Sequence, residues 1–117
     1  MAAAFAVADD RDSASWNQAR RAVCAILTLT ESLFRRNEHR KLATNIKHLS
    51  LSALANIARG FERSGDRNFL MRAANTIEQF EQELKRAQQR GALNDADAAL
   101  LKENFDAVKK SLEHLRP

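Results

Sequence analysis

The chain has 117 residues, 44% hydrophobic and 29% charged, which is enough apolar material for one core and too short for several ordinary domains. Disorder of the whole chain is excluded on that ground. Three Gly and one Pro are also too few for a sandwich or barrel, which needs turn residues at short intervals. The net charge of +4 is unevenly placed: residues 35–67 hold eight Lys and Arg against three acids, whereas residues 68–117 balance at eight each.

Residues 1–12 read as a flexible N-terminal tail and residues 13–117 as a single domain. The apolar stretch from Met1 to Ala8 is followed by Asp9, Asp10 and Asp12. It lacks the basic start and the length of a signal peptide, and no run approaches the roughly 18 apolar residues of a membrane span. The single cysteine, Cys24, has no partner for an intrachain disulfide or a zinc cage, which suits the reducing cytoplasm.

Ala, Leu, Arg, Glu, Lys and Gln, the strong helix formers, dominate the rest and predict an all-α fold. A first helix is expected from Ser13 or Ser15 to Arg35-Arg36, with Trp16, Ala19, Val23, Ile26, Thr30 and Leu33 at bundle spacing. A second runs from Glu38 to Arg63, with a seam of Leu42, Ile46, Leu49, Ala53, Asn56 and Gly60. Ser64 or Asp66 is expected to cap a third, whose seam is Leu70, Ala73, Ile77, Phe80, Leu84 and Ala87, with an i,i+4 pair from Glu81 to Lys85. Gly91 stops it, and Asn94 caps a fourth with Ala98, Leu101, Phe105, Val108, Leu112 and Leu115 inward. Short links make neighbouring helices antiparallel, so the expected architecture is an up-down-up-down four-helix bundle.

Bundle cores often hold metals, but no Glu-x-x-His motif occurs and the four seams contain no carboxylate, so no metal or cofactor is expected. No phosphate loop, Ser/His/Asp grouping or inward acid pair suggests an enzyme. Cys24, at the flank of its seam, reads as a small packing residue rather than a nucleophile. Asn56 and Gly60 are structural candidates, the amide as a buried hydrogen bond that fixes register and the glycine for close approach of a backbone or ring. Leu51, Ala55 and Ala58 form an apolar strip on the outer side of the second helix, a candidate subunit contact. The cations Arg35, Arg36, Arg40, Lys41, Lys47, Arg59, Arg63 and Arg67, with His48, concentrate in the same segment. Such a face suits phosphates bound through counterion release, whether of RNA or DNA, and the simpler reading is solvated surface charge. Few aromatics interleave with it, so stacked single-stranded bases are not suggested.

The stretch Ser52-Ala-Leu-Ala-Asn56-Ile57-Ala58-Arg59-Gly60-Phe-Glu-Arg63, with Phe69 beyond it, resembles a signature of the form S-x-x-x-N-I-A-E-G-x-x-R…F. That signature belongs to the four-helix-bundle proteins encoded by intervening sequences in bacterial large-subunit ribosomal RNA genes. The family also includes the accessory variability proteins of diversity-generating retroelements. Glu78, Glu81 and Glu83, then Arg90-Gly91-Ala92-Leu93-Asn94, are similar to its later segments. Two departures stand out: the family's Glu before the Gly is Arg59 here, and its Q-x-R-R-A pattern reads Asn45-Ile46-Lys47-His48-Leu49. The resemblance implies an antiparallel bundle that assembles as a ring-like homopentamer without enzymatic activity. In the retroelement branch it implies a basic surface that binds nucleic acid and a reverse transcriptase. The expected function is therefore a non-catalytic, self-assembling module with a basic face for nucleic acid or a nucleic-acid enzyme. The alternative is a scaffold whose charge is incidental.

Overall fold

Four α-helices account for nearly all of residues 10–34, 37–62 and 67–114, the residues that the computed structural model describes. They are α1 (Asp10–Leu33), α2 (Arg40–Glu62), α3 (Arg67–Gln89) and α4 (Asp95–His114), with a single 3-10 turn, Asn37–His39, leading into α2. No strand occurs among the described residues. Arg35, Arg36, Arg63, Ser64, Asp66 and Leu115, and residues 1–9 of the expected tail, lie outside them, as does the side chain of Arg67.

The first helix starts earlier than its seam suggests. Ser13 and Ser15 lie inside α1, and Asp10 and Asp12, read as the end of the tail, form its first turn. At the other end, the Phe34 N–H donates to Thr30 O at 3.1 Å, which completes the last turn.

The junction of α3 and α4 follows the chemistry of its residues. Gly91 adopts φ 75°, a conformation that L side chains avoid. Its N–H donates to Gln88 O at 3.1 Å, and that of Ala92 to Ala87 O at 2.8 Å. These two bonds are the Schellman pattern, which satisfies carbonyls left open at a helix end. Asn94 then caps α4, its Oδ1 accepting from the Asp97 N–H at 2.8 Å. The Gln88 amide donates to Asp95 Oδ1 at 2.9 Å across the turn.

The substantial helix pairings are α1 with α2, α2 with α3, α3 with α4, and α4 back with α1. This closed cycle is consistent with a bundle around one core. Ala19, Val23 and Ile26 fill it from α1, and Leu42, Ile46, Ala53, Ile57 and Phe61 from α2. Every seam residue expected on α3 is buried, and so are Ala98, Leu101, Phe105, Val108 and Leu112 on α4. At the centre Phe80 and Phe105 meet edge to face, ring centroids 4.9 Å apart.

On α2 the buried stripe differs from the expected one. Ser50 and Ile57 are buried, while Leu49 and Asn56 are only half-buried. The Asn56 amide donates to Ser52 O of its own helix at 3.1 Å, so it makes a local bond rather than a cross-helix lock. Gly60 is buried. Thr30 and Ser50 tolerate burial because their hydroxyls donate to Ile26 O at 2.6 Å and Lys47 O at 2.8 Å.

Candidate nucleic-acid interface

The cations of α2 are positioned by the absence of anything apolar on its outer arc except Leu51 and small alanines. From Arg40 to Phe61 the helix contains no Asp or Glu. Arg40, Lys41, His48 and Arg59 are exposed. They do not form one compact patch, because Arg40 and Arg59 are separated by about 28 Å along the helix at a rise of about 1.5 Å per residue. The expected set therefore divides into an Arg40/Lys41 end and an Arg59 end.

Lys47 belongs to neither. It is half-buried and ion-paired with Glu31 of α1. Its charge is therefore met inside the chain. Two other cations are met in the same way. Lys109 of α4 donates to both carboxylate oxygens of Glu81, at 3.2 and 3.1 Å, so that Glu81 serves an interhelical contact instead of the expected pair with Lys85. Arg86 donates to Glu83 Oε1 at 3.1 Å. Glu83 is a buried carboxylate, 8% exposed, and its other oxygen accepts from Asn45 of α2 at 3.3 Å. The seam reading, which found no inward acid, missed it. No buried side-chain N or O among the described residues lacks a partner.

At the other end of α2 the arrangement is different. The Arg59 guanidinium lies 6.0 Å from the centre of the Phe69 ring, and that of Arg72 lies 5.3 Å from the same ring. Phe69 is half-buried and both arginines are exposed. Each contact is attractive, since the ring face is electron-rich. Among the described residues no carboxylate pairs with either arginine. Two cations gathered on one ring repel each other, so an anion shared between them is favoured. Arg72 was absent from the expected set, although its place three residues after Phe69 on one helix was a usable signal. The partnership of Arg59 with Phe69 crosses between helices and had no local signal.

The remaining candidates are simply placed. Leu51 is 48% exposed, Ala55 is exposed and Ala58 half-buried on the outer arc of α2. Cys24 is exposed, not packed at the flank of its seam. Among the described residues no three His, Cys, Asp or Glu side chains gather as metal ligands would. No described helix is long and apolar enough to cross a membrane.

Fold and surface thus define a small all-α protein of four long helices. The family model of the 23S rRNA-intervening sequence proteins matches residues 11–114, almost the whole of the helical region, and the chain belongs to that family. No curated protein and no solved structure matches it.

Proposed function

We propose that the chain is a non-catalytic, self-assembling module whose basic surface binds the phosphates of RNA or DNA, alone or in company with a nucleic-acid enzyme such as a reverse transcriptase. The bundle is antiparallel, up-down-up-down. This is supported by contacts whose residue numbers run in opposite directions: Asn45 with Glu83 and Arg59 with Phe69 across α2 and α3, Gln88 with Asp95 and Glu81 with Lys109 across α3 and α4. The assembly is a homopentamer in the cytoplasm, supported by family membership and by the exposed strip around Leu51.

The observation that carries the nucleic-acid reading is the pair of arginines on Phe69. Elsewhere Lys47, Lys109 and Arg86 are matched by Glu31, Glu81 and Glu83, whereas among the described residues Arg59 and Arg72 meet the ring and no carboxylate. One subunit offers few such cations. A ring repeats the site around an axis, and avidity raises affinity without new contacts.

Fluorescence anisotropy with mixed-sequence RNA and duplex DNA at about 50 mM salt, where phosphate contacts are strong, tests the reading. Binding is expected to be nearly independent of sequence. The slope of log K against log salt should be about −0.9 per phosphate neutralised on duplex DNA. Arg59→Glu with Arg72→Glu should shallow that slope by about one unit for each cation that sits on a phosphate. Lys47→Glu should weaken packing against α1 and leave the slope unchanged. No binding by the wild-type protein would mean that the charge is solvated surface and the chain a scaffold.

A further inference from the structure

The self-assembly proposed above gives one meeting face, the strip around Leu51, and leaves its counterpart unassigned. The cycle of helix pairings puts α2 and α4 on a diagonal, each packed against α1 and α3, so their outer faces are directed to opposite sides of the bundle. Each of these helices exposes one large apolar side chain, Leu51 at the middle of α2, 48% exposed, and Leu100 in the second turn of α4, 43% exposed. Each is flanked by alanines on the same face: Ala55 and Ala58 on α2, Ala96 and Ala107 on α4. Small neighbours around one larger side chain let a second helix approach closely, near the short end of the usual 8–10 Å axial separation.

The charges around the two leucines have opposite sign. Arg40 lies along the Leu51 face, and no carboxylate occurs anywhere in α2 before Glu62. Asp97 and Glu103 stand three residues before and after Leu100, which places both on its face. Neither face complements itself. Two α2 faces bring arginines together, since Lys47 on that face is already met by Glu31, and two α4 faces bring aspartate and glutamate together. An α2 face against an α4 face joins leucine to leucine and cation to carboxylate.

We infer that these faces are the two halves of one contact between copies of the chain, α2 of one subunit docking on α4 of the next. The inference rests on the self-assembly reading and deepens it. A contact between different faces is heterologous, and when the rotation closes it generates a ring. It also leaves the Arg59–Phe69–Arg72 end of each subunit at the rim of the contact, where a ligand reaches it.

Complementation of two defective variants tests this directly. Leu51→Glu spoils the α2 face and Leu100→Glu the α4 face, and circular dichroism establishes that each keeps its helices. In sedimentation velocity each variant alone should be monomeric, because every possible contact then includes a spoiled face. Mixed in equal amounts they should form a one-to-one dimer and nothing larger, since only one sound α2 and one sound α4 face remain. The mixture is followed up to about 1 mM protein, where a contact with a millimolar dissociation constant still registers. Assembly of Leu100→Glu like the wild type would show that α4 takes no part and overturn the inference. A mixture that stays monomeric beside an assembled wild type would overturn it equally. A monomeric wild type would instead remove the self-assembly reading on which it stands.

Discussion

Phe80 and Phe105 are both fully buried, and their rings cross at 82° in the middle of the molecule. Truncating such a ring leaves a cavity that four stiff helices cannot close, so Phe80→Ala should cost about 3–5 kcal/mol in urea melts. A loss below about 1 kcal/mol would mean that the helices repack around the gap. The buried polar residues follow a different rule, because each needs a partner. Thr30 and Ser50 find theirs one turn back on their own helices, a device that no hydropathy pattern reveals. Glu83 finds Arg86 on its own helix and Asn45 across the interface. Asn45→Ala strips one oxygen of that carboxylate of its donor and should cost about 1–3 kcal/mol by the same melts. A change within about 0.5 kcal/mol would show that water serves as well.

Among the elements, the turn from α3 to α4 has the most legible local chemistry. Gly91 has open space around the position a Cβ would take, so Gly91→Ala meets only the backbone penalty of the left-handed conformation, about 1–2 kcal/mol. Asn94→Ala should lose about 1 kcal/mol through its cap. Thermal melts of both variants check these values, and a neutral Gly91→Ala would mean that the turn relaxes to another geometry. Sequence spacing revealed all of the α3 seam and the described part of the α4 seam, because large side chains mark nearly every inward position there. On α2 the alternating 3,4 spacing carried the stripe to Asn56, whereas burial passes through Ser50, Ala53 and Ile57. A straight helix of 3.6 residues per turn drifts about 20° per heptad from a 3.5 repeat, and over 23 residues that drift adds up to roughly 65°, about two-thirds of the way to the next position. The cationic residues were legible as a composition, but their division into paired and unpaired groups was not. Whether Lys47 meets Glu31, or Arg59 meets Phe69, depends on which helices lie side by side.

For the whole molecule the first expectation is mass. Sedimentation equilibrium of the wild-type protein should give five times the 13.2 kDa of one chain, and a single 13.2 kDa species at tens of micromolar, well above the dissociation constant of a stable assembly, would remove the assembly. A second consequence of the helix order concerns rates. Three of the four substantial helix pairings join consecutive helices, and only α1 with α4 closes a long loop. Chains whose contacts are mostly local fold in microseconds to milliseconds. The α3–α4 turn is bonded from within, so that hairpin is expected to form early and the docking of α1 on α4, which closes the long loop, to come last. Stopped-flow measurements should therefore find that Gly91→Ala slows refolding, whereas Ile26→Val in α1 leaves refolding nearly unchanged and speeds unfolding. A subunit formed in this order completes its α4 face before α1 is secured, so the assembly proposed above is expected to begin on a surface that is ready early and in turn to hold the last helix in place.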